Sequence, residues 1–321
     1  MLAEGVRFRL WAPNSNFVAL KIYDLDLVVP MGKLARGWYE VEVDAARAGM
    51  RYRFVLDDGA EVPDPATRFQ PEDVDGPSEI IDPLAFGWTD IGWRGHEWEE
   101  LVLYELHIGT FTQEGTFRAA MDKLDHLVEL GVTAIEIMPI ADFPGRWNWG
   151  YDGAQLFAPD SSYGRPEDLK ALVDLAHAKG LSVFLDVVYN HFGPKGNYLA
   201  VYAPLTTEHY ETPWGSAVNF DDAGSTMVRE FFLPMPATGS MNSISTGYGS
   251  TRCTKSATPA SATCCRNWPS RSAPPPMAGT CISWSKTKRT RRAGLSAATM
   301  ARPGSITGSG ATTSTTGSMS R

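Results

Sequence analysis

After Glu230 the chain contains no aspartate or glutamate as far as Arg321. All 37 acidic residues and 18 of the 29 basic ones lie in residues 1–233, a net charge of −19, while residues 234–321 hold the other 11 basic residues and sum to +11. An acidic first part offers no electrostatic footprint for nucleic acid. Cysteine is missing from the first 252 residues, and Cys253, Cys264, Cys265 and Cys281 follow no zinc-binding spacing. Neither a disulfide framework nor a metal site is therefore expected. No apolar run approaches the roughly 18 residues of a membrane helix. "MLAEGVRFRLWAP" has no signal-peptide pattern, so a cytoplasmic setting is the expectation. No glycine-rich phosphate loop follows the first strand of the later α/β stretch, which leaves a dinucleotide-binding fold without support.

What is present begins as β structure. Val6, Phe8 and Leu10 alternate with polar neighbours, as do Val18, Leu20 and Ile22, then Tyr39, Val41 and Val43, then Tyr52, Phe54 and Leu56. Turn-formers at "APNSN", "RAGM" and "DDG" separate these runs, and the pattern predicts an all-β, immunoglobulin-like sandwich over residues 1–85. The proline-rich "EVPDPATRFQPEDVDGPSEIIDP" reads as a packed connection. From about residue 100 the period changes. "LVLYELHIG" is expected as an apolar strand buried on both faces. "TFRAAMDKLDHLVELG" predicts a helix capped by Thr116 and closed by Gly131, with Phe117, Met121, Leu124 and Val128 on one face. "VTAIEIMPI" is a second strand. "RPEDLKALVDLAHAKG" is a second helix, with Pro166 in its first turn, Leu169, Leu172, Val173 and Ala176 inward, and Gly180 closing it. "LSVFLDVVYNH" is a third strand, and "TMVREFFL" opens a third helix. Alternation of this kind means parallel βα units, and an open doubly wound sheet fits this pattern too. With polar and aromatic residues at the strand ends and no phosphate loop, residues 98–233 are expected to be the first part of a (β/α)8 TIM barrel, about three of its strands.

Polar and aromatic residues gather just past the strand ends: His107, then "DFPGRWNWGYDG", then Asp186, Asn190 and His191. In a barrel that face carries the active site. Trp147, Trp149 and Tyr151 beside Asp142, Asn148 and Asp152 form a sugar-like lining, because aromatic faces stack on C–H-rich rings while carboxylates and amides bind hydroxyls. Each member also has a plainer reading. His107 alone reads more readily as a structural hydrogen-bonder than as a catalyst, and Asp186 could anchor a loop. Trp147 and Trp149 could be interface core, and His126 and His177 are expected to be structural. The cluster carries the case, not any single residue.

In combination these stretches resemble a known family. "DVVYNH" after a buried strand is similar to the first conserved region of the α-amylase superfamily of glycoside hydrolases, and "VRFRLWAP" resembles the front of its N-terminal immunoglobulin-like domain. "YELHIGTFT", "MPIADFPGRWNWGYDG", "FAPDSSYGRPEDLKALVDLAHAKGL" and "NHFGPKGNYL" together resemble the malto-oligosyltrehalose trehalohydrolases, over roughly residues 6–233. Glycogen branching enzymes resemble the "DVVYNH" block less well, and debranching enzymes match the loop after the second strand less closely. The resemblance implies a retaining hydrolase that cleaves the α-1,4 bond next to the terminal trehalose of maltooligosyl trehalose, acting as a monomer without cofactor. It further implies that Tyr151 stacks under the sugar at the cleaved side and that His191 hydrogen-bonds that sugar. Asp186 braces the surroundings of the nucleophile, and Asn190 supports the same loop. Trp149 and Asp152 complete the expected substrate-binding set. A retaining site needs two carboxyl groups about 5–5.5 Å apart. The family takes its three acids from later barrel strands, where this chain has none. The chain as read is expected to be inactive.

The basic stretch has two readings. One is a disordered basic tail, residues 234–321, of the kind that binds nucleic acid. The other is a shifted reading frame after about Leu233. With suitable synonymous codons, "PMPATGSMNSISTGYGSTRCT" reads NARYWIDEFHFDGLRLDAVH one frame away, which continues the helix and then resembles the family's nucleophile strand. Met235 before Pro236 forces Ala in that frame, and Met241 before Asn242 forces Glu. The nucleophile codon would straddle Ser250 and Thr251. The acid would straddle Ser285 and Lys286, and a third block follows in "GSGATTSTTGSMS". Three blocks in the right order favour the shift. A non-catalytic glucan-binding fragment remains the other class of function.

Overall fold

The computed structural model describes Met1, residues 4–232 and the backbone of Gly247–Tyr248. The first strands are β1 (Val6–Trp11), β2 (Val18–Ile22), β3 (Leu27–Pro30), β4 (Gly32–Lys33), β5 (Trp38–Val43), β6 (Arg51–Leu56), β7 (Glu61–Val62) and β8 (Ser78–Glu79). They form two antiparallel sheets, β1-β5-β4 and β3-β2-β6-β7, with β8 added beside β6. The four alternating runs of the sequence are β1, β2, β5 and β6. Alternation works here because each strand turns one face inward: Val6, Phe8 and Leu10 are buried while Arg7 and Arg9 face water. The inner faces meet edge-to-face at Phe8 and Tyr52, with ring centroids 5.0 Å apart. This is the predicted sandwich.

The sandwich does not have a core of its own. Its apolar cluster continues into Leu199, Tyr202, Val218, Phe220, Val228 and Phe232, which follow the last of the sequence's barrel strands. The proline-rich segment is packed as expected, with Thr67, Gln70 and Val74 all buried.

The second region contains β9 (Leu103–Leu106), α1 (Ile108–Phe111), α2 (Phe117–Met121), α3 (Leu124–Glu129), β10 (Ala134–Ile137), β11 (Ala141–Asp142), β12 (Gln155–Pro159), α4 (Pro166–Ala178) and β13 (Ser182–Leu185). After these come α5 (Leu199–Tyr202), β14 (Thr206–Thr212), β15 (Gly215–Val218), α6 (Ser225–Phe232) and β16 (Gly247–Tyr248). The sheet order is β16-β13-β10-β9, parallel throughout. This is the first part of a barrel wall, with β13 the third parallel strand and β16 a fourth. The expected disordered tail lies outside the described residues apart from β16.

Two local expectations need correction. β9 is not buried on both faces: Leu103, Tyr104 and Glu105 are exposed and only Leu106 is buried. It pairs with β10 alone among the described strands, so one edge has no neighbour. The single helix expected after it is two, α2 and α3, broken at Asp122 and Lys123. Thr116 does cap α2, accepting from the Ala119 N–H at 3.2 Å, a contact worth about 1 kcal/mol. The buried stripe is Phe117, Ala120, Leu124 and Leu127, whereas Val128 is exposed. The other helix is as read, with Pro166 at its start and Leu169, Leu172, Val173 and Ala176 buried. His177 is structural, its Nδ1 lying 2.6 Å from Asp90 Oδ2, while His126 is exposed. No described helix is long and apolar enough to cross a membrane.

Candidate functional site

Three parallel strands deliver their chemistry to one end of the sheet. Asp186 follows β13 directly, and its N–H bonds to the Ile137 carbonyl at 2.8 Å, which prolongs the strand pairing and fixes the residue's height. Its side chain is buried, and Oδ2 accepts from the Tyr151 hydroxyl at 3.1 Å. His191, five residues on, donates from Nε2 to the Tyr151 carbonyl at 2.8 Å. Tyr151 is thus held at both its backbone and its ring. Asn190 lies half-buried on the same loop.

The loop between β11 and β12 carries the aromatic residues. His107, at the end of β9, donates from Nε2 to the Asn148 carbonyl at 2.7 Å. Asn148 accepts from the Gly150 N–H at 2.7 Å and donates to Asp152 at 3.1 Å. Gly150 has φ +90°, and a Cβ there would sit 2.1 Å from the Pro139 carbonyl oxygen, so no other residue fits that turn. Two histidines, from strands on either side, therefore grip one loop by its carbonyls. The loop backbone is fixed while Trp147 and Trp149 stay 73% and 69% exposed. That exposure rules out the reading of these tryptophans as interface core. Trp149 meets the His107 ring edge-to-face at 5.9 Å, and the Arg146 guanidinium lies over Trp147.

Asp142 is not part of the lining. It is fully buried, and neither carboxyl oxygen makes a well-formed hydrogen bond among the described residues, although the Ser161 N–H lies close enough to favour the ionised form. Burial, with Asp160 and Asp73 adding like charge, pushes its carboxyl up to about 9. It is therefore a neutral acid at pH 7 and cannot meet a sugar. Asp160 is also pushed up by burial, opposed by hydrogen bonds from Ser162 and from the Phe143 N–H.

Sequence reasoning brought Tyr151, Asp186, Asn190, His191, Trp149 and Asp152 to one end of the sheet, and the structure places them there. It missed Trp214, which stacks on the His191 ring at 4.6 Å and 5° from the β14–β15 turn. The turn-forming Pro213 and Gly215 on either side of Trp214 are the sequence signal for that hairpin. Among the described residues no group of three or more histidine, cysteine, aspartate or glutamate side chains could hold a metal ion. The shifted-frame acids, at Ser250/Thr251 and Ser285/Lys286, fall outside the described residues.

Family comparison agrees with this architecture. Residues 1–85 match the profile for carbohydrate-binding module 48 (isoamylase N-terminal domain), and residues 67–211 match the α-amylase catalytic domain. The chain thus carries the N-terminal module and part of the catalytic domain of the α-amylase family. Within that family it is similar to malto-oligosyltrehalose trehalohydrolase from Saccharolobus solfataricus, 54% identical over 230 residues, covering 72% of this chain and 41% of the relative. The same enzyme from Deinococcus radiodurans is 52% identical over 217 residues, covering 67% and 36%. The chain thus spans about two-fifths of the length of these relatives. A solved Salmonella typhimurium structure described as an alpha amylase superposes with a TM-score of 0.74 at 46% identity, covering 78% of this chain and 42% of that one. The Bacillus subtilis type I pullulanase, at 23% identity and a TM-score of 0.69, shares the fold.

Proposed function

We propose that this chain is the N-terminal part of a retaining glycoside hydrolase that acts on maltooligosyl trehalose, breaking the α-1,4 bond next to the terminal trehalose unit and releasing trehalose. The observation that carries the reading is the 54% identity to a malto-oligosyltrehalose trehalohydrolase through the stretch that builds the Tyr151, Asp186 and His191 cluster. A glycogen branching enzyme is the competing reading. The branching enzyme of Pseudoalteromonas atlantica is only 30% identical over 259 residues. We place the sandwich at 1–85 and the barrel from 98, and assign the enzyme to the cytoplasm as a monomer. In this reading Tyr151 and His191 hold the sugar at the cleaved side, and Trp149 with Asp152 and Asn190 shape the approach.

In this reading the chain of this sequence carries neither nucleophile nor general acid and is inactive. A frame change near Leu233 accounts for both losses. Sequencing the gene across Leu233 and Pro234 tests the frame. An unshifted frame encoding PMPATGS in related genes overturns it. Release of trehalose from maltooligosyl trehalose by the protein of this sequence overturns the inactivity. Formation or removal of α-1,6 branches on a glucan by the frame-restored gene product, with no trehalose released from maltooligosyl trehalose, overturns the substrate.

A further inference from the structure

The segment between β7 and β8 belongs to the sandwich by topology, yet it reaches the loops of the sheet end. Both family profiles cover residues 67–85. Asp73 sits there with φ +68°, a conformation uncommon outside glycine and stabilised here by its own side chain, whose Oδ1 accepts from the Val74 N–H at 2.6 Å. Its other oxygen, Oδ2, accepts from the Gly145 N–H at 2.8 Å, 72 residues away in sequence. Gly145 opens the stretch that carries Trp147 and Trp149. Beyond it the loop is held at Asn148 by His107, at Tyr151 by His191, and at Gly153, whose carbonyl accepts from the Gly193 N–H at 3.0 Å. Asp73 is thus the tether on the near side of the two tryptophans, and it comes from the sandwich.

The same segment grips the neighbouring loop two residues later. Asp75 accepts from the Tyr198 hydroxyl at 2.8 Å and pairs with the Lys195 Nζ at 2.6 Å. Val74 packs where a Cβ on Gly196 would lie, 2.5 Å away. Gln70, fully buried, ties the segment to itself by donating to the Gly76 carbonyl at 3.1 Å. A backbone held in a left-handed conformation by an over-determined set of bonds is the form in which strain persists at working sites.

We propose that Asp73 is a positioning residue of the site: through the Gly145 amide it holds the Trp147–Trp149 stretch in the orientation in which it meets the glucan, so that the N-terminal module is a structural part of the active-site wall. The sugar-facing part of this inference rests on the glucan reading above; the tether itself does not. Pre-ordering a loop lowers the entropy lost when ligand binds, which gives such a tether its use.

Hydrogen exchange followed by mass spectrometry on the full chain tests it, with circular dichroism checking that each variant folds. Asp73→Gly keeps a backbone suited to positive φ and removes the carboxylate. Exchange of the peptide 143–153 is expected to rise about tenfold, the scale of one charge-assisted hydrogen bond, while α4 is unchanged. Asp73→Asn keeps one acceptor oxygen of the two and tolerance of positive φ, and with that oxygen turned to the Gly145 N–H it is expected to restore part of the protection. Asp75→Asn is expected to loosen 194–199 and leave 143–153 alone. The proposal is overturned if Asp73→Gly leaves 143–153 unchanged, if it speeds exchange equally along the chain, if Asp73→Asn loosens the loop as much as Asp73→Gly, or if 143–153 is already unprotected in the parent chain. These measurements use no sugar, so they stand whatever the substrate is. Maltotriose added afterwards is expected to protect 143–153 in the parent chain and less in Asp73→Gly; an absence of protection in the parent counts against the glucan reading alone.

Discussion

The sandwich and the parallel sheet bury comparable strands by different means. Antiparallel strands with alternating residues need cover on one face only, and the sandwich obtains it from its second sheet and from Tyr202, Phe220, Val228 and Phe232. Parallel strands of continuous apolar sequence need cover on both faces and a neighbour on both edges. β10, with β9 and β13 beside it, is buried along its whole length, while β9 leaves Leu103 and Tyr104 exposed. The two strands have similar composition. What separates them, among the described strands, is a neighbour on both edges, so a hydrophobic sequence predicts a strand but not its burial.

The largest expected effect tests the shared core. Phe232 is 2% exposed and touches the rings of Tyr189, Phe192 and Phe220. Phe232→Ala is expected to cost about 3–5 kcal/mol in urea unfolding and to loosen the sandwich together with α6. A sandwich that keeps its full hydrogen-exchange protection in this variant would show that its core is separate after all.

Next in size is the loop joined to the sheet end. Gly150→Ala places a Cβ against the Pro139 carbonyl at positive φ, and is expected to lower stability by about 2–3 kcal/mol, read as a fall in melting temperature. A neutral result would show that the loop yields where the sheet does not.

Asp142 gives the pH dependence. With its carboxyl pushed up to about 9, the folded chain holds a proton that the unfolded chain releases near pH 4. Stability from this group therefore falls as pH rises between about 4 and 9. Asp142→Asn is expected to flatten that fall and to add on the order of 2 kcal/mol at pH 8. Parallel stability–pH curves for parent and variant would contradict the buried neutral acid.

The smallest effect is at the bare edge. Leu103 is 45% exposed, so Leu103→Thr is expected to change stability by less than about 0.5 kcal/mol. It is also expected to reduce aggregation at high concentration, as seen by light scattering, because an apolar edge with no neighbour among the described strands invites strand addition. A large loss of stability would mean that this edge is covered in solution.

Much of the fold could be read from local pattern. Period-2 runs marked β1, β2, β5 and β6 but not the shorter β3, β4, β7 and β8 of the sandwich, and "DVVYNH" and "NWGYDG" marked the strand ends where Tyr151, Asp186 and His191 converge. Those residues lie next to strands whose direction fixes them, so spacing was sufficient. Asp142 was misread because nothing in "IADFPG" says which side of a strand turns toward the interior. The break between α2 and α3 was hidden because a 3.6-residue stripe survives a short kink. Asp73 and Gly145, or His191 and Trp214, were not legible at all, since their pairing depends on how two segments pack.

The amino-acid sequence by itself determined the element types, the parallel order of the βα units, the family, and the loss of every carboxylate after Glu230, because each is written in composition, period or motif. Only the tertiary structure decided that the sandwich shares its core with α5 and α6, that Asp142 is a buried neutral acid, and that Asp73 reaches across to the tryptophan loop. Burial, proton affinity and long-range hydrogen bonds are properties of neighbours, and neighbours exist only once the chain has folded.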